Sequence, residues 1–277
     1  MKIFKSALPI AVCLTFLFLT TTGFAADKAI TLATLEWEPY VGADMPKNGF
    51  SAEIVVAAFK RTGYAVKIEF HPWTKTLEIG KAGQVDGIFP AYRTAEREVD
   101  FLFSEPFAES PLGFYKKSSA VAGPNIAQLK RTDINIVFSE DPRINPTAVL
   151  KDLADYRFGV VEGYANTPEF DAADYLTKVT AKTDAENLLN LINGRVDLIF
   201  IDRYVAKTII VKRFPWHLQD YEFMTPALAN KPLFAAFPRS RDNHQKLQED
   251  FNRGLAIAIK DGMIQRLYDK YGLKSRF

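Results

Sequence analysis

Cysteine is nearly absent from this chain of 277 residues, since the only one is Cys13, inside an apolar run near the start. Outside that run the chain has no thiol, so neither a disulfide nor a thiolate metal site is predicted. The histidines are also few and far apart, at His71, His217 and His244, which excludes the clusters that bind zinc or iron. A glycine-rich phosphate loop is missing as well. We therefore predict no metal and no cofactor.

Long apolar runs are missing too, apart from the one that contains Cys13. The chain begins with charges only at Lys2 and Lys5, continues with an apolar run over Ala7–Leu19, and then has small residues at Gly23 and Ala25. The apolar run is shorter than the ~20 residues that a membrane span requires. A retained anchor is the alternative, but the pattern predicts a secretory signal peptide over residues 1–25, cleaved after Ala25. We therefore expect a periplasmic protein.

An excess of charge of one sign is also lacking. The 35 Lys and Arg residues nearly balance the 33 Asp and Glu residues, and removal of Lys2 and Lys5 would leave a formally neutral protein. The charges are spread evenly, without the basic clusters that nucleic acid or an anionic lipid surface requires. The composition therefore predicts no nucleic-acid partner, and we expect a monomer.

The mature part of the chain alternates short β-rich runs with helical stretches, which is typical of an α/β fold with helices on the faces of a sheet. A strand is predicted over Ile30–Leu35, a helix over Phe50–Thr62, and a second strand where Val66, Ile68 and Phe70 alternate with polar residues. Further strands are predicted at 86–89, 112–115, 134–138, 158–161, 197–201 and 233–237. Further helices are predicted at 74–82, 147–154, 184–193, 203–213, 243–259 and 263–271.

Each of two groups of strands has its own apolar set, which predicts two α/β units. Residues 26–115 and 233–277 form the first lobe in this interpretation, and residues 116–232 form an inserted second lobe. The small-residue passage at 117–124 is a candidate hinge.

Several separated patches carry a resemblance to a known family. In chain order they are Glu36–Tyr40, Asp86–Phe89, Thr94–Arg97, Phe103–Pro106, Gly159–Gly163, Gly194–Asp197 with Asp202, Phe251–Leu255 and Asp269–Gly272. Together they resemble periplasmic solute-binding proteins of family 3, which serve ABC importers of polar amino acids. This resemblance implies a two-lobed type II periplasmic-binding fold, with two crossing strands at the hinge and a small polar ligand held between the lobes.

The resemblance also implies roles for two charged residues. Arg97 occupies the position that clamps the ligand carboxylate, and a guanidinium suits that role because its planar donors meet a carboxylate in two parallel bonds. Asp202 occupies the position that accepts the ligand ammonium. Two alternatives stay open: Arg97 pairs with Glu96 or Asp100, and Asp202 only caps the helix that follows.

Aromatic residues are expected around the ligand. Trp37 and Trp73 match positions where the family places rings over the ligand, with packing in the lobe cores as the alternative. Tyr164 is a further candidate from the second lobe. The chain departs from the family's pattern at Pro90-Ala91-Tyr92, where small hydroxyl residues are usual, so the Tyr92 hydroxyl and main-chain N–H groups are candidates for the carboxylate. The ligand is expected to be an amino acid or a related carboxylate.

Two other functions remain open at this stage. A cyclohexadienyl-type dehydratase would use the same fold, with Glu36, Glu162 or His71 as its general acid. None of these residues has a spacing that demands catalysis, so we predict no enzyme and no catalytic residue. The membrane partner is either an ABC permease or a sensor.

Overall fold

This computed structural model describes residues 28–118, 150–151, 153–224, 227 and 229–273. The predicted signal peptide, the strand at 134–138 and nearly all of the candidate hinge at 117–124 lie outside the described residues. Of the helix predicted at 147–154, residues 150 and 151 are helical. Residues 153–155 form a turn, so the prediction that this helix reaches Ala154 is wrong.

Strands and helices alternate along the described part of the chain. The strands are β1 Lys28–Thr34, β2 Tyr64–Phe70, β3 Gly87–Ala91, β4 Phe101–Phe103, β5 Ala108–Lys117, β6 Arg157–Val161, β7 Thr177–Ala181, β8 Leu198–Asp202, β9 Tyr221–Phe223 and β10 Ala229–Pro238. The α-helices are α1 Phe50–Lys60, α2 Trp73–Lys81, α3 Ala95–Asp100, α4 Pro168–Ala172, α5 Asp184–Ile192, α6 Arg203–Arg213, α7 His244–Lys260 and α8 Met263–Tyr271. Single 3₁₀ turns occupy Pro46–Asn48 and Pro215–His217.

Helix α1 shows how the sequence specifies these elements. It begins at Phe50, carries Glu53 in its first turn and ends with Lys60 in its last, as the helix dipole favours. Ile54 and Phe59 are fully buried on its inner face. Gly63 then turns the chain with a φ of +82°, which a glycine adopts without strain, and β2 follows directly.

The strands are arranged in the order β2-β1-β3-β10-β5-β8-β6-β7, with β4 paired to β10 and β9 paired to β5. Parallel pairs lie towards the two ends, where β1 joins β2 and β3, and β6 joins β7 and β8. At the centre, Ala108–Leu112 of β5 pairs antiparallel with Ala229–Leu233 of β10. We call the β1–β4 group with its helices the first lobe and the β6–β9 group with its helices the second lobe.

The strands β5 and β10 connect the two lobes by pairing with each other. Beyond their shared segment, β10 continues along β3 and β4, while β5 continues along β8 and β9. The lobe boundaries that we predicted, at 115/116 and 232/233, fall within these two strands, and their exact positions remain a prediction.

The C-terminal helices α7 and α8 pack on the first lobe, mainly against α1. The rings of Phe59 and Phe251 lie 5.3 Å apart between α1 and α7. Gly254 lets the two helices approach closely, because a Cβ at this position would lie 2.0 Å from the carbonyl oxygen of Ala58. Over the described ranges, no helix combines the length and the apolar character that a membrane crossing demands.

Candidate functional site

A small cavity lies between the two lobes. Its lining consists of Leu35, Trp37, Trp73, Pro90, Tyr92, Arg97, Tyr164, Ala165 and Leu233. Five of the six predicted site residues are therefore brought together, and Asp202 is the one that does not line the cavity. The free space is about 20 Å³, which is room for about one water molecule. A ligand of amino-acid size does not fit into this space in the present conformation.

Arg97 forms one wall of the cavity and contacts both lobes. Helix α3 places it, with the Thr94 hydroxyl accepting a bond from the Arg97 N–H at 3.2 Å as the helix N-cap. Nη1 donates to the carbonyl oxygen of Tyr92 at 2.9 Å, and Nη2 donates to that of Gly163 at 2.9 Å. Burial lowers the pKa of Arg97 below its usual value, although the group remains a cation at neutral pH.

Arg97 does not form an ion pair with Glu96 or Asp100, which was the alternative prediction. The Asp100 carboxylate pairs with Lys81 at 2.9 Å, and no carboxylate of the described residues lies within ion-pair distance of the Arg97 guanidinium. A half-buried guanidinium whose hydrogen bonds within the described residues go only to main-chain carbonyls retains N–H groups for an anion, because it has five of them.

Gly163 connects the second lobe to the first at this point. Its carbonyl oxygen accepts a bond from the Trp73 indole N–H at 3.1 Å as well as the one from Arg97. The φ of Gly163 is +74°, and a Cβ would lie 3.2 Å from a side-chain carbon of Thr74, so glycine suits this position on both counts. The Arg97 guanidinium carbon in turn lies 5.3 Å from the centre of the Trp73 ring.

Trp37 supplies a second ring to the cavity wall. Its ring is stacked on Tyr40 with centroids 4.5 Å apart, and it meets Tyr92 edge-on at 6.1 Å. Its indole N–H is buried and has no hydrogen-bond partner among the described residues. An unpaired buried donor destabilises the folded protein, so a hydrogen-bond acceptor that reached this N–H would be bound favourably.

Asp202 lies at the end of β8 and is only 2 % exposed. One carboxylate oxygen accepts bonds from the N–H groups of Tyr204 and Val205, at 2.7 and 2.9 Å, which caps α6. The other accepts bonds from the Tyr40 hydroxyl at 2.9 Å and the Ser110 hydroxyl at 2.6 Å. Burial raises the pKa of Asp202 to about 6, against the opposing effect of these donors. All four lone-pair sites are occupied in this conformation, and the role of ammonium acceptor stays a prediction.

The tyrosines of the cavity direct their protons away from it. Tyr92 and Ser110 have their hydroxyl oxygens 2.6 Å apart, and since Ser110 donates to Asp202, Tyr92 must donate to Ser110. Tyr164 donates to Asp184 at 2.8 Å. Burial raises the pKa of Asp184 to about 7, with a further rise from the nearby charge of Asp202. The Tyr92 hydroxyl is therefore engaged with the protein in this conformation, and its use by a ligand carboxylate is untested.

The acids considered for catalysis do not line the cavity. Glu36 and Glu162 are exposed, and Glu36 accepts bonds from the N–H of Ala43 at 3.2 Å. His71 is half-buried, with its Nε2 3.6 Å from a carboxylate oxygen of Glu69.

One cation beside the cavity was not predicted from the sequence. Lys231 lies on β10, and its ammonium donates to the carbonyl oxygens of Ala165 and Asn166. The same ammonium lies 4.7 Å from the centre of the Tyr92 ring. Burial, with a smaller effect from the charge of Arg97, lowers the pKa of Lys231 to about 8. In the sequence, Lys231 is marked only by its position just ahead of the strand predicted at 233–237.

Residues 30–274 match the family of bacterial extracellular solute-binding proteins, family 3. The chain belongs to this family. The resemblance predicted from the separated motifs is thus confirmed, and so is the two-lobed type II periplasmic-binding fold. A search of curated proteins found no match.

Solved structures of family 3 proteins and related domains share this fold. An ABC uptake transporter substrate-binding protein from Streptococcus pneumoniae with bound histidine is 21% identical, with 90% of this chain and 94% of that chain covered at a TM-score of 0.67. A histidine kinase sensor domain with similarity to periplasmic binding proteins is 18% identical, with coverages of 89% and 96% and a TM-score of 0.69. The ancestral amino acid-binding protein AncCDT-1, a precursor of cyclohexadienyl dehydratase, is 20% identical, with coverages of 88% and 94% and a TM-score of 0.63.

Proposed function

We propose that this family 3 protein works in the periplasm, where it closes its two lobes around a small carboxylate ligand and delivers it to an ABC importer. The observation that carries the proposal is the position of Arg97 at the wall of the interlobe cavity, where among the described residues its guanidinium donates hydrogen bonds only to main-chain carbonyls. The cavity has aromatic walls and few polar groups, a combination that is typical of sites for small molecules.

The contacts of Arg97 link ligand binding to closure. The guanidinium is attached to the first lobe through its own helix and to the second lobe through the carbonyl of Gly163. A ligand that takes a carboxylate to Arg97 while touching Tyr164 would contact both lobes only when they are closed. Binding energy that exists only in the closed state is what shifts the lobes towards it.

The surroundings of Asp202 favour a ligand that does not depend on an ammonium group. An ammonium would have to displace the Tyr40 or Ser110 hydroxyl from the carboxylate, because its four acceptor sites are already used. We therefore propose deaminated carboxylates as well as amino acids as possible ligands.

Substitution of Arg97 tests this function. Loss of one partner from a buried charge pair costs ~2–5 kcal/mol, so we expect Arg97→Ala to weaken binding of any carboxylate roughly thirty-fold to several thousand-fold. A thermal-shift screen of amino acids, keto acids and aromatic acids would find the ligand, and calorimetry would measure the loss. Arg61→Ala is the control, because Arg61 pairs with Asp261 and not with the cavity. Binding by Arg97→Ala at the affinity of the wild type would contradict the proposal.

We propose that the protein has no catalytic turnover, since Glu36, Glu162 and His71 do not line the cavity. Prephenate and arogenate incubated with the purified protein should stay intact. Accumulation of an aromatic product that is lost in Arg97→Ala would instead support a dehydratase. The choice between an importer and a membrane sensor as the partner depends on which protein binds the closed form, and a pull-down with the ligand present would identify it.

A further inference from the structure

We infer that Arg97 and Lys231 together form a binding site for a ligand with two acidic groups, of which a dicarboxylate is the simplest kind. The inference rests on the proposed function and names the class of its ligand. One acidic group would bind at Arg97, which lines the cavity, and the other would bind at Lys231 on the crossing strand β10.

The two cations share the same neighbours. Arg97 donates to the carbonyl oxygen of Tyr92, and the ammonium of Lys231 lies over the ring of Tyr92. Both also donate to carbonyls of one short loop in the second lobe, Arg97 to Gly163 and Lys231 to Ala165 and Asn166. Residues from the crossing strand and the first lobe thus bring two positive charges to one segment of the second lobe.

Neither cation has a carboxylate partner within the described residues. Asp171, which lines the same groove, is the acid whose charge raises the pKa of both cations, although the charge of Glu96 has a larger effect on Arg97. Its two carboxylate oxygens already accept bonds from the main-chain N–H and the side-chain amide of Asn166, at 2.9 and 2.8 Å. Two half-buried like charges without an ion pair destabilise each other, and an anionic ligand would offset that repulsion.

The shape of the surface also fits a ligand with two acidic ends. Arg97 lines both the small cavity and a larger groove that opens beside it, and Lys231 lines that groove. The groove is also lined by acids, of which Asp100 is paired with Lys81 and Asp171 is bonded to Asn166. Arg97 and Lys231 are thus two cations of this surface that retain N–H donors for the two ends of a dicarboxylate.

Calorimetry with matched pairs of acids tests the inference. Succinate, glutarate and adipate would each be compared with the monocarboxylate of the same length, namely butyrate, valerate and hexanoate. We expect at least one dicarboxylate to bind the wild type about tenfold or more tightly than its matched monocarboxylate, as expected for one added charged contact. Lys231→Met should abolish the preference and leave the monocarboxylate affinity within about threefold, whereas Lys231→Arg should retain it.

Lys60→Met is the matched control, because Lys60 is exposed at the end of α1 and should leave the preference unchanged. Circular dichroism would establish that each variant is folded, and Lys231→Gln, which also removes the charge and should also abolish the preference, gives the answer if Lys231→Met does not fold. Equal affinity for both members of every pair, or a preference that survives in Lys231→Met, would overturn the inference and leave the proposed function standing. If other carboxylates of the thermal-shift screen bind the wild type but none of these dicarboxylates does, the inference alone fails. If no carboxylate of either set binds the wild type, or if Arg97→Ala binds the ligand unchanged, the proposed function fails together with the inference.

Discussion

The carboxylate of Asp202 joins a helix N-terminus to hydroxyls from two other segments, Tyr40 and Ser110. In Asp202→Asn one oxygen is replaced by an amide nitrogen, which cannot accept the two bonds that this oxygen received. Unsatisfied buried donors cost ~1–3 kcal/mol, and we expect the free energy of unfolding to fall by about that amount. Urea denaturation would measure the change, with Asp174→Asn, at an exposed position, as the control.

The same variant also separates the two roles of Asp202. If the carboxylate accepts the ligand ammonium, Asp202→Asn should weaken binding of an amino acid and leave its deaminated analogue nearly unchanged. Calorimetry with both ligands would measure this. An equal loss for the two ligands would assign Asp202 to the hinge and the helix cap alone.

Asp184 and Asp202 give stability a pH dependence with a definite sign. The pKa values of the two buried carboxyls are raised to about 7 and about 6, against ~3.9 in an unfolded chain. The folded protein therefore binds more protons between about pH 4 and pH 7, and the free energy of unfolding should rise as the pH falls through this range. Carboxyls with lowered pKa values, such as Asp250, lose their contribution only below about pH 4.

Urea denaturation at pH 5, 6, 7 and 8 would measure this dependence. Asp184→Asn keeps an oxygen for the Tyr164 hydroxyl but does not titrate. We therefore expect it to flatten the dependence of the free energy of unfolding on pH, and its stability relative to the wild type should be higher at pH 8 than at pH 5. A free energy of unfolding that increases from pH 5 to pH 8 in the wild type would contradict the prediction.

At the level of single residues, the sequence identified residues that line one cavity but not the hydrogen bonds around it, and the roles of these residues in binding stay a prediction. Arg97 and Trp37 could be located because they lie in motifs that resemble those of the family, and Trp73 because it matches a position where the family has a ring. Lys231 could not, because its role depends on β10 lying beside Tyr92, a contact between residues 139 positions apart in the sequence. The full set of hydrogen bonds to the Asp202 carboxylate likewise could not be predicted, because two of its donors, Tyr40 and Ser110, come from distant segments.

Among the elements, those with strong periodicity were predicted reliably, whereas short elements were missed. Helix α6 was predicted with its observed bounds, Arg203–Arg213. The strands β4 and β9, with three residues each, and the helices α3 and α4 were missed, because so few residues contain hardly one period of any pattern. The strand β7 was also missed, since only Ala181 of its five residues is buried.

The crossing strands were predicted too short for a different reason. The observed strand β5 begins at Ala108 and includes Ser110 and Pro111, residues that are uncommon within strands. Its partner there is the start of β10, in which Pro232 also occurs. Local propensity disfavours both segments, and their pairing with each other overrides it.

The packing of α7 on α1 gives a prediction for a helix pair. In Gly254→Ala the new Cβ would lie 2.0 Å from the Ala58 carbonyl oxygen, so the two helices must separate. Overpacking of this kind costs ~1–3 kcal/mol, and thermal or urea denaturation would measure it. Glu249→Ala, at an exposed position of the same helix, should have little effect. Because Gly254 does not line the cavity, ligand affinity should stay unchanged, and a large loss of affinity would contradict this assignment.

For the whole molecule, the three tryptophans report on lobe closure. Trp37 and Trp73 line the cavity and are 6 % and 8 % exposed, whereas Trp216 is 75 % exposed on the second lobe. We expect ligand binding to change the tryptophan fluorescence, since movement of the lobes changes the solvent around the first two rings. Phe substitutions at Trp37 and Trp73 should remove the response, and Trp216→Phe should retain it. A signal lost only in Trp216→Phe would contradict the location of the cavity.

The position of β10 in the strand order has a consequence for how the protein is made. The first lobe begins at Lys28, yet the strand that pairs with β3 ends only at Pro238, after the entire second lobe. Until β10 is available to pair, the apolar edge at Gly87–Ala91 has no partner on that side. Pairing over such a separation is slow, and an open strand edge invites association with other chains. The lobe that is synthesised first is therefore the one that is completed last.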